Sequence, residues 1–303
     1  MPQRSIETDH GLTSRMFVVG LLLVVLYGAI MTGLFFVIHS LAIILVIGIG
    51  AIFAQYWFSA RIALFSMHAK VVTPEEEPKL HAMIDRLCAL ANVPKPQVAV
   101  SETDLPNAFA TGRSPKAAVI CATRGIMQRL PDEELEAVLA HELSHVVHRD
   151  VAVMTIASSV GMLAGLISRI AMYGMAFGGG GNRNDSGGQI VLIELGAMVV
   201  SFLIYIVSWL LTLALSRYRE LSADRSGAIL IGKPSVLASA LQRITGDIAR
   251  IPSRDLRRVE TMNAFFFAPA ISGKSLHGLL ATHPSLEVRL AKLAELEREL
   301  GQA

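Results

Sequence analysis

His141-Glu142-Leu143-Ser144-His145 places two imidazoles four residues apart, with a carboxylate beside the first. On an α-helix that spacing stacks both rings on one face, where they can converge on a single cation, while Glu142 holds a water and takes its proton. The competing reading is a charged surface turn. Context favours the metal, because Leu135-Glu136-Ala137-Val138-Leu139-Ala140 is apolar and helix-forming, so the histidines are half-buried and need partners. A catalytic zinc takes three protein ligands and leaves a fourth position open. His148 shares the face with His141, but seven helical residues rise ~10.5 Å, too far for both to bond one ion at ~2 Å. The third ligand therefore comes from elsewhere in the chain.

Ser216-Arg217-Tyr218-Arg219-Glu220-Leu221-Ser222-Ala223-Asp224 continues an apolar run as a helix, with Glu220 and Asp224 one turn apart. Glu220 could complete a tripod, and Asp224 could accept the spare N–H of a ligating histidine. Alternatively both are ordinary juxtamembrane acids matched by Arg217, Arg219 and Arg225. Spacing alone leaves the choice open. The metzincin pattern is absent, since Val151 stands where its third histidine would be and His148 where its glycine would be. Cys88 and Cys121 form no CxxC pair, so a thiolate metal site is excluded; they read as small buried hydrophobes, although a disulfide between them stays possible.

The elements that must position these residues are largely apolar. The chain has 303 residues, 52% of them hydrophobic, and a positive mean hydropathy. Part of it must sit in lipid. Runs from Met16 to Ile38 and from Leu41 to Phe58 are each long enough to cross a bilayer and predict a tight helical hairpin; a cleaved signal peptide is the lesser alternative for the first. Val151 to Ser168 and Ile190 to Leu215, joined by a Gly-rich loop over 178–188, predict a second hairpin, with Arg169 and Glu194 snorkelling near that loop. Arg4, Arg15, Arg61, Lys70, Arg149, Arg217 and Arg219 cluster at the opposite ends, which places those ends on the cytoplasmic side. The predicted organisation is an N-terminal cytoplasmic arm (1–15), a first hairpin (16–60), a first catalytic part (61–150), a second hairpin (151–215) and a second catalytic part (216–303).

Within the polar blocks, helical periodicity over Glu76 to Asn92, Pro234 to Ile248 and Leu286 to Leu300 predicts amphipathic helices. Gln97 to Ser101 and Ala117 to Ala122 read as strands, and Asn107 to Gly112 as an edge strand. Pro131 and the acids Asp132, Glu133 and Glu134 start the His141 helix. Those acids and Glu136 make burial of that helix in lipid expensive, which argues against an intramembrane active site. With a net charge of +2 and no basic tract interleaved with aromatics, nucleic acid is not a partner.

His141-Glu142-x-x-His145, the following apolar pair and Arg219-Glu220-x-x-Ala223-Asp224 together resemble the M48 peptidases, specifically the HtpX-type membrane proteases. Asn107-Ala108-Phe109-Ala110-Thr111-Gly112 and Thr282-His283-Pro284 with Arg289 extend the likeness over most of the chain. The resemblance implies a mainly α fold with a small β-sheet, a gluzincin-like α+β catalytic domain, and four transmembrane helices in two hairpins. It also implies one zinc per chain on His141, His145 and Glu220, with Glu142 as catalytic base. The implied activity is membrane-bound endopeptidase action on misfolded or damaged membrane proteins, at the cytoplasmic face of a multi-pass protein of the cell membrane. The partners are then the bilayer and polypeptide substrates; no residue fixes an oligomeric state. Three further expectations are weaker in the residues themselves. Asn107, Ala108, Phe109 and Ala110 could bind an extended peptide by strand addition or simply form a core strand. His283 could stabilise an oxyanion or be a buried structural histidine. Arg289 reads as an ion-pair partner, and the Phe265-Phe266-Phe267 loop has no assigned role. A non-catalytic scaffold with a structural metal is the rival from another class, but it leaves Glu142 without a purpose.

Overall fold

The computed structural model describes residues 14, 17–26, 41–155, 157–158, 164–165, 187–250 and 283–301. The N-terminal arm, the end of the first apolar run, the Gly-rich loop over 178–186, most of the third run, Phe265 to Phe267 and Thr282 lie outside them. Two compact units divide the chain: one is Met1–Thr13, Tyr56–Ala152 and Ser216–Ala303, the other Ser14–Gln55 and Val153–Leu215.

The fold is mostly helical with a small mixed sheet. Its elements are α1 (Phe17–Leu26), α2 (Leu41–Ser66), β1 (Ala69–Val71), α3 (Pro78–Ala91), β2 (Gln97–Ser101), β3 (Ala108–Thr111), β4 (Val119–Thr123), α4 (Arg124–Arg129), α5 (Asp132–Val147), α6 (Gly187–Ile231), α7 (Pro234–Arg250) and α8 (Leu286–Gly301). Among the described residues one helical stretch, Met198–Ile231 of α6, is long and apolar enough to cross a membrane. The other three spans read from hydropathy are not confirmed among the described residues, where α1 is a short apolar helix and most of the third run lies outside them.

Strand order is β1-β2-β4-β3, with β2 and β4 parallel and both outer pairs antiparallel. Both faces of the sheet are covered, so its strands read as continuous apolar runs rather than as an alternation. On one face Val98, Val100, Ile120 and Ala122 pack with Leu80, Ile84 and Leu87 of α3 and with Leu135, Val138 and Leu139 of α5. Ala99, Phe109, Val119 and Cys121 turn to the other, against Ala63 and Met67 at the end of α2. Cys88 and Cys121 thus lie on opposite faces and are both free, which removes the disulfide. Strand β1 was not anticipated: three residues, mostly exposed, carry no periodic signal.

Helix α3 starts at Pro78, two residues later than its periodicity suggests, because Thr73 to Glu77 is a turn closed by the Glu76 and Glu77 amides on the Thr73 carbonyl. Helix α5 begins at Asp132, with Pro131 as its cap in extended conformation rather than inside the first turn. Two of its acids are not solvated: Glu134 and Glu136 are 7% and 8% exposed. Each is paired. Glu134 takes Arg243 and Ser239 of α7, both at 2.7 Å, and Glu136 takes Arg86 of α3. These acids tie α5 to its neighbours, so only Asp132 and Glu133 carry charge to the surface as expected.

Closest approach between α5 and α6 falls at Gly227, where a Cβ would stand 2.8 Å from the His141 nitrogen and 2.9 Å from its Cα. Only a missing side chain permits that spacing. Replacing Gly227 with Ala should force the helices apart at about 1–3 kcal/mol and lower the unfolding temperature of the detergent-solubilised protein. An unchanged temperature would show that the contact relaxes freely.

Candidate metal centre and active site

Helix α5 stacks His141 above His145, with their Nε2 atoms 3.1 Å apart and ring planes at 85°. From α6, Glu220 brings Oε1 to 3.5 Å from Nε2 of His145 and Oε2 to 3.7 Å from Nε2 of His141. Three ligand-type atoms thus lie within 4.8 Å of one another. Donors bonded at 2.0–2.1 Å to one tetrahedral zinc stand about 3.3 Å apart. The two nitrogens stand near that value and each faces one oxygen of Glu220, so with a small adjustment of the carboxylate the donor set suits such an ion.

Why do both Nε2 atoms face inward? Each ring is held from behind. Nδ1 of His141 is 2.9 Å from Asp224 Oδ1, and Nδ1 of His145 is 2.5 Å from Asp150 Oδ2. A carboxylate at Nδ1 keeps the proton there and frees the Nε2 lone pair for a metal. Those carboxylates are anchored in turn: Arg289 of α8 takes Asp224 through Nε and Nη2 at 2.7 and 2.6 Å, and Arg219 takes Asp150 at 2.8 Å. With neutral imidazoles, the carboxylates of Glu142, Asp150, Glu220 and Asp224 against two guanidiniums leave a charge that one divalent cation balances.

The electrostatics agree. Burial lowers the pKa of His145, yet the Asp150 hydrogen bond and the charges of Asp150, Glu220 and Glu142 outweigh it and bring the group to about 9, marking the spot as cation-seeking. Burial would raise Asp150, but the Arg219 charge and the His145 hydrogen bond hold it at about 2. In His141 burial prevails over Asp224 and the pKa falls. Burial lifts Glu142 to about 8, against the pull of His145 and of a hydrogen bond from the Ala110 backbone. A carboxyl in that range can both take and return a proton near neutrality.

Asp224 occupies the position anticipated for it, behind His141. Arg289 is the expected ion-pair partner and is 2% exposed. His283 sits beside the cluster, with Nδ1 3.0 Å from Glu220 Oε2. Neither of its ring nitrogens has an aligned hydrogen-bond partner among the described residues. His148 caps α5 outside the cluster. The juxtamembrane reading of Glu220 and Asp224 loses two of its three counter-ions, because Arg225 pairs with Glu299 at 3.0 Å and Arg219 with Asp150. Arg219, 8% exposed, is buried against Asp150 rather than free at the surface.

Asp150 and Arg219 are what the residue pattern missed. The residue pattern carried no signal for Asp150: Arg149 adopts φ 56°, turning the chain sharply after α5 so that an acid five residues past His145 folds back onto its ring. Strand β3 flanks Glu142 as the outermost strand of the sheet. Asn107 precedes it, buried, exchanging bonds with Thr123 through its N–H to Oγ1 and its carbonyl from N, both at 3.0 Å. That bond fixes the phase of the antiparallel ladder: Phe109 and Thr111 pair with β4, and the backbone groups of Ala108 and Ala110 point to the open edge.

Residues 74–297 match the family model for peptidase family M48. Over 302 residues the chain is 52% identical to Protease HtpX homolog 1 of Streptomyces coelicolor, covering 99% of this chain and 98% of that one. Protease HtpX homolog of Moorella thermoacetica is 50% identical, with 99% of each chain covered. Protease HtpX homolog 2 of Methanosarcina mazei is 49% identical over 99% of this chain and the whole of that one. In shape the chain is similar to the crystal structure of S. mikatae Ste24p, with a TM-score of 0.52 and 18% identity; 91% of this chain and 63% of that one are covered, a likeness of fold alone. On the family match and the full-length relatives together, this chain belongs to peptidase family M48.

Proposed function

We propose that this metalloprotease is a membrane endopeptidase whose single zinc is held by His141, His145 and Glu220, and which cuts damaged or misfolded membrane proteins at the cytoplasmic face. The observation that carries the reading is the buried His-His-Glu cluster beside Glu142 and an open strand edge. A bound zinc would supply Lewis acidity, polarising the scissile carbonyl and easing ionisation of a nearby water. The protein's own residues do the rest. Ala108 offers its outward N–H and carbonyl, and Ala110 its carbonyl, to an extended substrate, laying it along β3. Glu142 accepts the proton as the water oxygen bonds to the carbonyl carbon, then returns it to nitrogen as the C–N bond breaks. His283, whose Nδ1 faces Glu220 Oε2 at 3.0 Å, leaves Nε2 to serve the developing oxyanion. Asp224 and Asp150 keep both ligand rings in the binding tautomer.

Exposed apolar rows support the membrane setting: Val46, Ile49 and Phe53 on α2, and Val199, Phe202 and Leu203 on α6. Arg61 and Lys70 flank the polar block and support a cytoplasmic catalytic side. The names of the relatives accord with protease action, the strand edge suits an extended polypeptide, and the resemblance to HtpX-type proteases is what implies damaged membrane proteins.

Glu142→Gln in the zinc-loaded protein should keep full zinc content and lose peptide hydrolysis by about 10²–10⁴-fold. Persistent cleavage would sink the base assignment. In Glu220→Ala the zinc itself should be lost; unchanged affinity means that the third ligand lies elsewhere. Asp150→Asn, which keeps the shape but weakens the grip on His145, should reduce zinc affinity about 10–100-fold in a chelator competition. An unaltered constant there would make Asp150 a bystander. For topology, Cys88 and Cys121 give a silent background, since both are buried and burial pushes their thiols up to about 11 and about 12. A cysteine in place of exposed Lys116 should react with an impermeant maleimide only after the cells are opened. Labelling of intact cells refutes the cytoplasmic placement.

A further inference from the structure

Beside His145, a small hollow, with room for a group about the size of a water molecule or a carboxylate head, lies between the end of β3 and the turn that follows α5. Thr111, Gly112 and Ser114 form one wall; Val146, His145 and Arg149 form the other. The first wall is rigid. Gly112 has φ +120° and packs so tightly that a Cβ would come within 2.4 Å of the Ala117 carbonyl oxygen.

Arg149 is the unusual member. Its φ of 56° is a left-handed conformation that the residue after a helix often adopts, but one that glycine fills at far less cost than a long side chain. Its guanidinium makes no ion pair or hydrogen bond among the described residues. Neighbouring charge is also positive, with Arg113 and Lys116 on the loop behind Gly112. The one acid in the lining, Asp150, is buried and already committed to His145 and Arg219. An arginine kept where the backbone favours glycine, at the rim of a hollow with a surplus of positive charge, points to an anionic occupant.

The place of the hollow says which anion. It borders the same strand edge that the proposed function gives to an extended substrate. Side chains of such a strand alternate above and below it, about 6.8 Å apart on one side, so a side chain within about two residues of the scissile bond falls into the hollow. Resting on that reading of the site, we propose that the hollow is a substrate side-chain subsite selective for Glu or Asp, with Arg149 as the specificity-determining charge.

The test uses full-length zinc-loaded protein and a set of peptides in which Glu, Gln and Lys are exchanged at each position around the cleaved bond. At one position kcat/KM should favour Glu over Gln by about fivefold, and Lys should be disfavoured. Arg149→Asn, a residue that tolerates the left-handed backbone, should bring that Glu:Gln ratio near unity, Arg149→Lys should keep most of it, and Arg149→Glu should reverse it toward Lys. A second readout needs no turnover: in Glu142→Gln protein, fluorescence anisotropy should give the same Glu:Gln ratio in Kd, abolished by adding Arg149→Asn. Cleavage without charge preference at any position, or a preference indifferent to Arg149→Asn, overturns the subsite and leaves the protease reading standing. If Arg149→Asn instead lowers activity equally for all peptides, and only in vesicles containing anionic lipid, the arginine holds a headgroup and the subsite is again overturned. Absence of all cleavage by the wild-type protein, with Glu142→Gln indistinguishable from it, overturns both.

Discussion

Two imidazole nitrogens facing each other at 3.1 Å, in a place closed to solvent, repel unless something positive lies between them. Much of the local structure serves to hold them there. Asp224 and Asp150 grip the far nitrogens, and Arg289 and Arg219 grip the aspartates, so each ring stands at the head of its own carboxylate–guanidinium chain. Breaking either chain would strand a buried charge, which is why the arrangement stores its own demand for a cation.

That demand sets the packing around it. Asp224 and Glu220 reach the rings because α6 can approach α5 to backbone contact at Gly227, and Arg289 reaches Asp224 because α8 seats Leu293 and Leu296 in the same core as α5 and α7. The acids on the other side of α5 act differently. Glu134 and Glu136 fasten the helix to α7 and α3 at its start, fixing its rotation before the histidine turn begins. A rotation error of a fraction of a turn would carry both imidazoles away from Glu220.

Strand β3 gives the centre its second character. Its ladder phase, set by the Asn107–Thr123 exchange, leaves Ala108 and Ala110 directed outward, and the Ala110 N–H meets Glu142. The carboxylate proposed as the base and the edge that would align a peptide are therefore registered to each other through one backbone group. Burial raises Glu142 while that N–H and His145 restrain it, which leaves a proton acceptor poised near neutrality.

How much of this could be read in the residues? Spacing alone placed His141, Glu142 and His145 on one helical face, because i to i+4 stacking is a property of the helix and needs no partner. Helix rise alone excluded His148. Strands β2 and β4 showed as β-branched apolar runs, and α3, α7 and α8 as amphipathic periods. The third acid was different: on spacing Glu220 stood level with an ordinary surface acid, and what weighs against that alternative is its place beside both rings and the diversion of Arg219 to Asp150 and Arg225 to Glu299. Asp150 was invisible because its role depends on a left-handed turn at Arg149, a conformation that sequence assigns to glycine. Burial of Glu134 and Glu136 likewise depended on arginines about a hundred and fifty residues apart along the chain from one another, brought to α5 only by folding. Local helix geometry, then, determined which residues can bind and which can take a proton. Tertiary structure decided which acid stands beside the two rings and what holds each ring, because those contacts join segments that no local pattern relates.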